Sequence, residues 1–436
     1  MGENSQLVLA GVLLSLIVIH LASKVGGEIC LRLNLPPVLG ELLGGVIVGV
    51  SALRLIIFPG GEIDASASLI IDLLQNTAGL TPTAANSVFD RQSEAISVLS
   101  EIGVIILLFE IGLESSLTEL LKVGSQAALV ALVGVAAPFA GGVLGMIYLF
   151  HAPPIVAIFA AAALTATSIG ITAKVLSQIG RINTPEGQII IGAAILDDIL
   201  GLIVLAVVSG LGQTGKVDVG GIFYLIITAS AFLVGSILMG RALTPVLAKI
   251  VDSLQTRGQL IVVSLIFAFS LAYIATAIHL EGILGSFAAG LVLAETEKRE
   301  GIVTDLTPLA DAVVPIFFVV VGARTDLSVL NPIDPVNREG LLIALFLIVV
   351  AVLGKVITGL VVFGKPGINR LAIGVGMIPR GEVGLIFVSV GASSGILPPA
   401  TQAGVVVMVI FTTFLAPPLL RLVFKDPPVV IPNPPD

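Results

Sequence analysis

The chain has 436 residues, of which 56% are hydrophobic and 11% charged, and a formal net charge of −8 at pH 7. Soluble domains carry about 25% charged residues, so this composition speaks against a soluble enzyme, and the acidic balance speaks against nucleic acid as a partner. Cys30 is the one cysteine, which excludes an internal disulfide and a Cys-rich metal centre.

Apolar runs long enough to span a bilayer, about 20 residues each, recur from end to end and predict an all-α integral membrane fold with thirteen spans. The first covers 5–24. It has no basic stretch ahead of it and no small-residue cleavage site, so it reads as a retained span. The second covers 35–58, and an acidic, polar connection over 59–91 follows, with Glu62, Asp64, Asp72 and Asp90. Its middle, "ASLIIDLLQN", predicts a short surface helix. The next spans cover 95–113, 124–149, 155–178, 187–209, 220–247 and 259–278. Two short ones follow at 281–295 and 308–323, then three more at 340–363, 369–394 and 402–424.

The basic residues set the direction. With the N-terminus outside and the C-terminus cytoplasmic, the inner side holds Lys24, Arg32, Lys122, Lys174, Arg181, Arg241, Lys249, Arg257, Lys298, Arg299, Lys365, Arg370, Arg421 and Lys425. The outer side holds Arg54, Arg91, Lys216, Arg324 and Arg338. That is 14 against 5, and only Lys355 and Arg380 of the 21 basic residues lie inside spans.

A repeat is visible in the glycines. "VLGELLGGVIVG" (38–49) matches "ILGSFAAGLVLA" (283–294), aligning Gly40 with Gly285 and Gly45 with Gly290. "LLFEIGLESSL" (107–117) matches "FFVVVGARTDL" (317–327), aligning Gly112 with Gly322. The shift is seven spans, an odd number, so the two copies run in opposite directions. Inverted repeats mark transporters and place the site near mid-membrane, at the repeat interface.

The polar groups converge on that depth. At 1.5 Å per residue, Asp197 lies about 15 Å into the sixth span and Lys355 about 12 Å from the inner end of the eleventh. Thr165, Thr167 and Ser168 fall near the middle of the fifth span, and Pro379, Arg380 and Glu382 near the middle of the twelfth. A mid-span carboxylate costs about 2.5–3.5 kcal/mol even on the mild insertion scale, so the adjacent pair Asp197–Asp198 requires a reason. Neighbours on a helix project about 100° apart, so one can pair with Lys355 while the other faces a cavity and binds a proton or a small cation. Arg380 needs a buried partner, and Glu110 and Glu382 are the candidates. "TATS" and "PRGE" read as unwound centres whose freed carbonyls and N–H groups can hold ions.

"TATSIGITAKVL", "AAILDDILGLIVL", the lone Lys355 and "GMIPRGEVGLIF" resemble the second branch of the cation/proton antiporter superfamily. The nearest match is the NapA-type sodium/proton antiporters, and the Kef-type systems are more distant. The resemblance implies a homodimer of thirteen-helix protomers in the lipid bilayer, of a bacterial inner or internal photosynthetic membrane. Residues 1–118 and 250–330 would form a dimerisation part, 119–210 and 338–425 an ion-translocating core, and 211–249 a linker helix. It implies exchange of Na⁺, Li⁺ or K⁺ for protons by alternating access, without a cofactor. Asp198 would be the carrier, with Asp197 as the second cation-site carboxylate, itself paired with Lys355. Thr167 and Ser168 would line the site. A Kef-type potassium/proton antiporter is the alternative, although the C-terminal nucleotide-binding domain of Kef systems is missing here. A sodium-coupled organic-solute symporter, an ion channel and an intramembrane aspartyl protease are rivals from other classes. The symporter would not need Lys355, the channel lacks a carbonyl filter motif, and the protease needs carboxylates from two helices facing one water.

Overall fold

A computed structural model describes residues 2–59, 64–214, 219–253, 256–363 and 367–424. Glu62, Lys216, Lys365 and Lys425 lie outside the described residues, as do the side chains of Arg241, Lys249 and Glu382. Every regular element among the described residues is helical. In chain order these are α1 (Gly2–Arg32), α2 (Pro37–Val48), α3 (Leu69–Ala78), α4 (Pro82–Glu114), α5 (Leu117–Tyr148), α6 (Pro154–Ala162), α7 (Ile169–Gln178) and α8 (Pro185–Thr214). They continue as α9 (Val219–Ser253), α10 (Gln259–Ala277), α11 (Gly282–Ala294), α12 (Arg299–Ala323), α13 (Pro335–Val356), α14 (Arg370–Gly376), α15 (Glu382–Ser393) and α16 (Pro399–Phe424). Nine helices among the described residues are long and apolar enough to cross a membrane. The chain is a multi-pass integral membrane protein.

Several expected boundaries move, α1 running on to Arg32 past 24 and α5 beginning at Leu117 before 124. The third span begins at Pro82, not at 95: Thr81 caps it by accepting from Ala84 N, Pro82 opens the first turn, and the buried Val88, Phe89 and Gln92 give its polar beginning a packed face. Gln92 Nε2 donates to Ser15 Oγ of α1 at 2.9 Å. The tenth span is not short, because α12 starts at Arg299, whose Nε donates to Leu113 O at 2.8 Å. The second ends at Val48, where the chain turns back and Leu53 N donates to Ile47 O. The surface helix predicted in the acidic connection is α3, capped by Ser68. Just before it, Asp64 accepts from Ser66 N and Oγ, and these bonds hold its carboxyl below the ordinary value.

The helices pack in two groups. One is built from α1, α2, α4, α10, α11 and α12, the other from α5 to α8 and α13 to α16, and α9 touches α8 of one and α11 of the other. The inverted repeat is explicit in the first group. An added Cβ on Gly45 would lie 2.2 Å from Val319 O and 2.9 Å from Gly322 Cα. Its repeat mate Gly290 would meet Phe109 O at 2.4 Å and Gly112 Cα at 2.8 Å. The contact α2–α12 is thus the image of α11–α4, and only glycine fits where each pair of backbones crosses. The α1–α2 and α10–α11 turns also match: Asn34 and His279 are both left-handed, and Leu35 N bonds Cys30 O as Leu280 N bonds Ala275 O.

Candidate ion site

In the second group, two transmembrane segments unwind halfway. One breaks between α6 and α7 and the other between α14 and α15, as "TATS" and "PRGE" predict. The unwound strands face each other and satisfy each other's backbone. Ser168 N donates to Pro379 O at 2.8 Å, Thr167 Oγ1 to Met377 O at 3.1 Å, and Thr172 Oγ1 to Gly376 O at 2.9 Å. Arg380 Nη1 donates to Ala166 O at 2.8 Å and to Thr165 O at 3.3 Å. Thr413 Oγ1 of α16 donates to Arg380 O at 2.8 Å. Irregular backbone survives at membrane depth only when buried in protein or lining a cavity, and here it does both.

This arrangement corrects two expectations. Among the described residues, the hydrogen-bond partners of Arg380 are carbonyls just past the C-terminal end of α6, where a helix dipole favours a cation. Glu110 is not among them, since its Oε2 lies 3.9 Å from Lys174 Nζ. Many freed carbonyls are also already taken by protein donors.

The aspartates divide as the 100° argument requires. Asp197 is fully buried, and the fully buried Lys355 Nζ donates to both of its oxygens at 3.2 Å. Gly134 of α5 leaves room for that ammonium: a Cβ there would lie 3.2 Å from Nζ. Asp198 is 7% exposed and lines a cavity of about 30 Å³ together with Thr167, Ser168, Gly381 and Glu281. That volume holds about one or two waters, or a small, partly dehydrated ion. Asp198, Thr167 and Ser168 therefore come together as expected, with Asp197 and Lys355 behind them. Among the described residues no group of three or more His, Cys, Asp or Glu could hold a metal ion, so the oxygens facing the cavity form a sparse site.

The sequence reading missed Thr412 and Thr413. An offset of 215 residues relates the left-handed glycines Gly180 and Gly395 that end α7 and α15. The same offset aligns Asp197 with Thr412 and Asp198 with Thr413. The second copy carries hydroxyls where the first carries carboxylates.

The two copies also differ in packing. A cavity of about 570 Å³ opens between α12, α15 and α16, lined by Arg324, Asp326, Leu385, Ile386 and Thr413, and it reaches Gly381. Leu385 and Ile386 are 37% and 39% exposed there. Their repeat mates Gly170 and Ile171 are buried, Gly170 beside Phe317 of α12 and Val104 of α4 (Ile171 is 1% exposed). At this closed end Ser177 Oγ donates to Glu114 Oε2 at 3.0 Å, Lys174 pairs with Glu110, and Val38 N donates to Gln178 Oε1 at 3.5 Å. The protein is open at its Arg324 end and shut at its Lys174 end.

Oppositely oriented repeats, crossed breaks and a half-neutralised aspartate pair at mid-depth define an ion-coupled transporter rather than an enzyme. The family model for transmembrane sodium/hydrogen exchangers matches residues 11–425, and the chain belongs to that family. It is 64% identical over 423 residues to the high-affinity Na⁺/H⁺ antiporter NhaS3 of Synechocystis sp., covering 97% of this chain and 92% of that one. It is 31% identical to the Na⁺/H⁺-K⁺ antiporter GerN of Bacillus cereus, covering 93% and 94% of the two chains. The fold is similar to that of the sodium proton antiporter MjNhaP1 from Methanocaldococcus jannaschii, with a TM-score of 0.64 at 19% identity over 97% and 98% of the chains.

Proposed function

We propose that the chain exchanges Na⁺ for H⁺ by alternating access, with cation and proton competing for Asp198. The observation that carries this reading is the cavity beside Asp198, backed by the Asp197–Lys355 pair. A carboxylate there can bind a cation only when deprotonated, so each ligand displaces the other. Thr167 and Ser168 oxygens complete the coordination. Family membership and the named activities of the relatives support the same reading.

The group holding Asp198 moves against the other group. The open Arg324 end and shut Lys174 end represent one of its two states. The positive-inside bias assigns the Lys174 end to the cytoplasm and the N-terminus outside. Thirteen crossings follow when the shorter α2 and α11 and the two broken segments are counted. The moving part is the core (119–210 and 338–425), and the static part (1–118 and 250–330) forms the homodimer. The bacterial relatives support a bacterial inner or internal photosynthetic membrane. Potassium is the second reading, favoured by the name of the Bacillus relative.

The test is exchange in proteoliposomes with a pH dye, offering Na⁺, Li⁺ and K⁺ in turn. Asp198→Asn is expected to retain less than a tenth of wild-type exchange while staying folded. Apparent sodium affinity is expected to rise with pH until the carboxylate is fully ionised. An affinity that stays flat across that titration contradicts competition at one site.

A further inference from the structure

Glu281 is not among the residues that the exchange reading uses. It directly precedes α11, is half-buried, and lines the same cavity as Asp198. These two are the ionisable side chains on that cavity among the described residues. They belong to different packing groups, Asp198 to α8 and Glu281 to the turn between α10 and α11. That turn is tied down. Leu280 N donates to Ala275 O at 2.9 Å, and Ser286 Oγ of α11 donates to Ile105 O of α4 at 2.6 Å. Glu281 therefore stays with the static group while Asp198 travels.

The repeat supplies an internal control. The offset of 245 residues that aligns Gly40 with Gly285 aligns Glu281 with Pro36. The corresponding turn at the Lys174 end thus has no carboxylate. The far end of α11 leads to Arg299, which bonds Leu113 O of α4 at the shut end, so Glu281 stands at the end of α11 away from the shut end. A carboxylate there shares the cavity with Asp198 in this state and, staying with the static group, faces Asp198 in one state only.

Resting on the antiport reading, we infer that Glu281 is a hand-off ligand: it holds the incoming monovalent cation at the mouth of the cavity on the Arg324 side and passes it to Asp198. Its negative charge concentrates cations locally. It acts on protons in the same way, so both apparent affinities at that face shift together and the exchange equilibrium is unchanged.

The experiment measures sodium half-saturation in right-side-out and everted membrane vesicles, which present opposite faces. Glu281→Gln is expected to raise sodium half-saturation at the Arg324 face about tenfold, the low end of what charged clefts achieve. The half-saturation at the Lys174 face is expected to stay within about twofold of wild type, a shift too small for a charged cleft. Glu281→Asp, which keeps the charge, is expected to stay near wild type at both faces. An unchanged value at the Arg324 face, equal shifts at both faces, or Glu281→Asp behaving like Glu281→Gln each overturns the hand-off role. A wild type that moves no protons in exchange for any alkali cation from either face instead overturns the antiport reading itself.

Discussion

The Lys355–Asp197 pair allows a quantitative test of how the site is held. Both side chains are fully buried and joined by two 3.2 Å contacts. Removing one partner of such a pair costs about 3–5 kcal/mol, because the remaining charge is left in a poor solvent. Lys355→Ala and Asp197→Asn should each fall in this range. They should not be equal. Arg380 is also close enough to interact electrostatically with both groups. Without Lys355, Asp197 retains a nearby cation; without Asp197, Lys355 and Arg380 repel each other with only the weaker attraction of Asp198 to offset it. Asp197→Asn is therefore the more damaging change. The double variant leaves no orphaned member of the pair and should recover about 2 kcal/mol relative to the sum, within the range of contacting residues. Thermal melting in detergent, run as a double-mutant cycle, measures all three quantities. Strict additivity would remove the ion pair from the account, and a milder Asp197→Asn would remove the contribution of Arg380.

Two further outcomes follow from the packing. Gly290→Ala places a methyl carbon 2.4 Å from Phe109 O, a backbone atom that cannot swing aside, and should cost about 1–3 kcal/mol. Gly124→Ala, at a helical position of α5 with open space around the added carbon, should leave the packing untouched, and equal melting losses would refute the crossing argument. Glu114→Gln weakens the 3.0 Å bond from Ser177 that helps shut the Lys174 end. Losing about 1.4 kcal/mol there should raise the population open at that end about tenfold. It would be read as faster thiol labelling of Ile195→Cys, in a Cys30→Ser background, by a reagent added on that side; an unchanged rate would refute the latch.

Much of this was legible in the sequence, because a membrane makes polar residues conspicuous. Asp197 and Lys355 could be matched by depth alone, and the two breaks by their Thr, Ser, Pro and Gly content. The partners of Arg380 could not be read that way. They are backbone carbonyls, which every residue carries, so the search for a side-chain partner turned to Glu110. Glu281 sits between two apolar runs, where a carboxylate looks like an ordinary surface residue. The start of α4 was missed because Asp90, Arg91 and Glu94 suggest a loop, while the opposite face of the same turns is buried. Thr412 and Thr413 became visible as counterparts of the aspartates once two left-handed glycines fixed the register of the copies.

The burial of Arg380 bears on the electrical behaviour of the transport cycle. The charged side chains buried among the described residues are Asp197, Asp198, Lys355 and Arg380, two of each sign. With both aspartates ionised, the four buried charges of the unloaded site cancel. Loaded with one sodium ion or one proton it carries a single positive charge, so a one-for-one cycle moves the same charge in each direction and generates no current. Each elementary charge moved through 100 mV is worth about 2.3 kcal/mol. A steady current under an imposed potential would therefore require a second titrating group, and Lys355 and Asp197 are the groups beside the site placed to supply it.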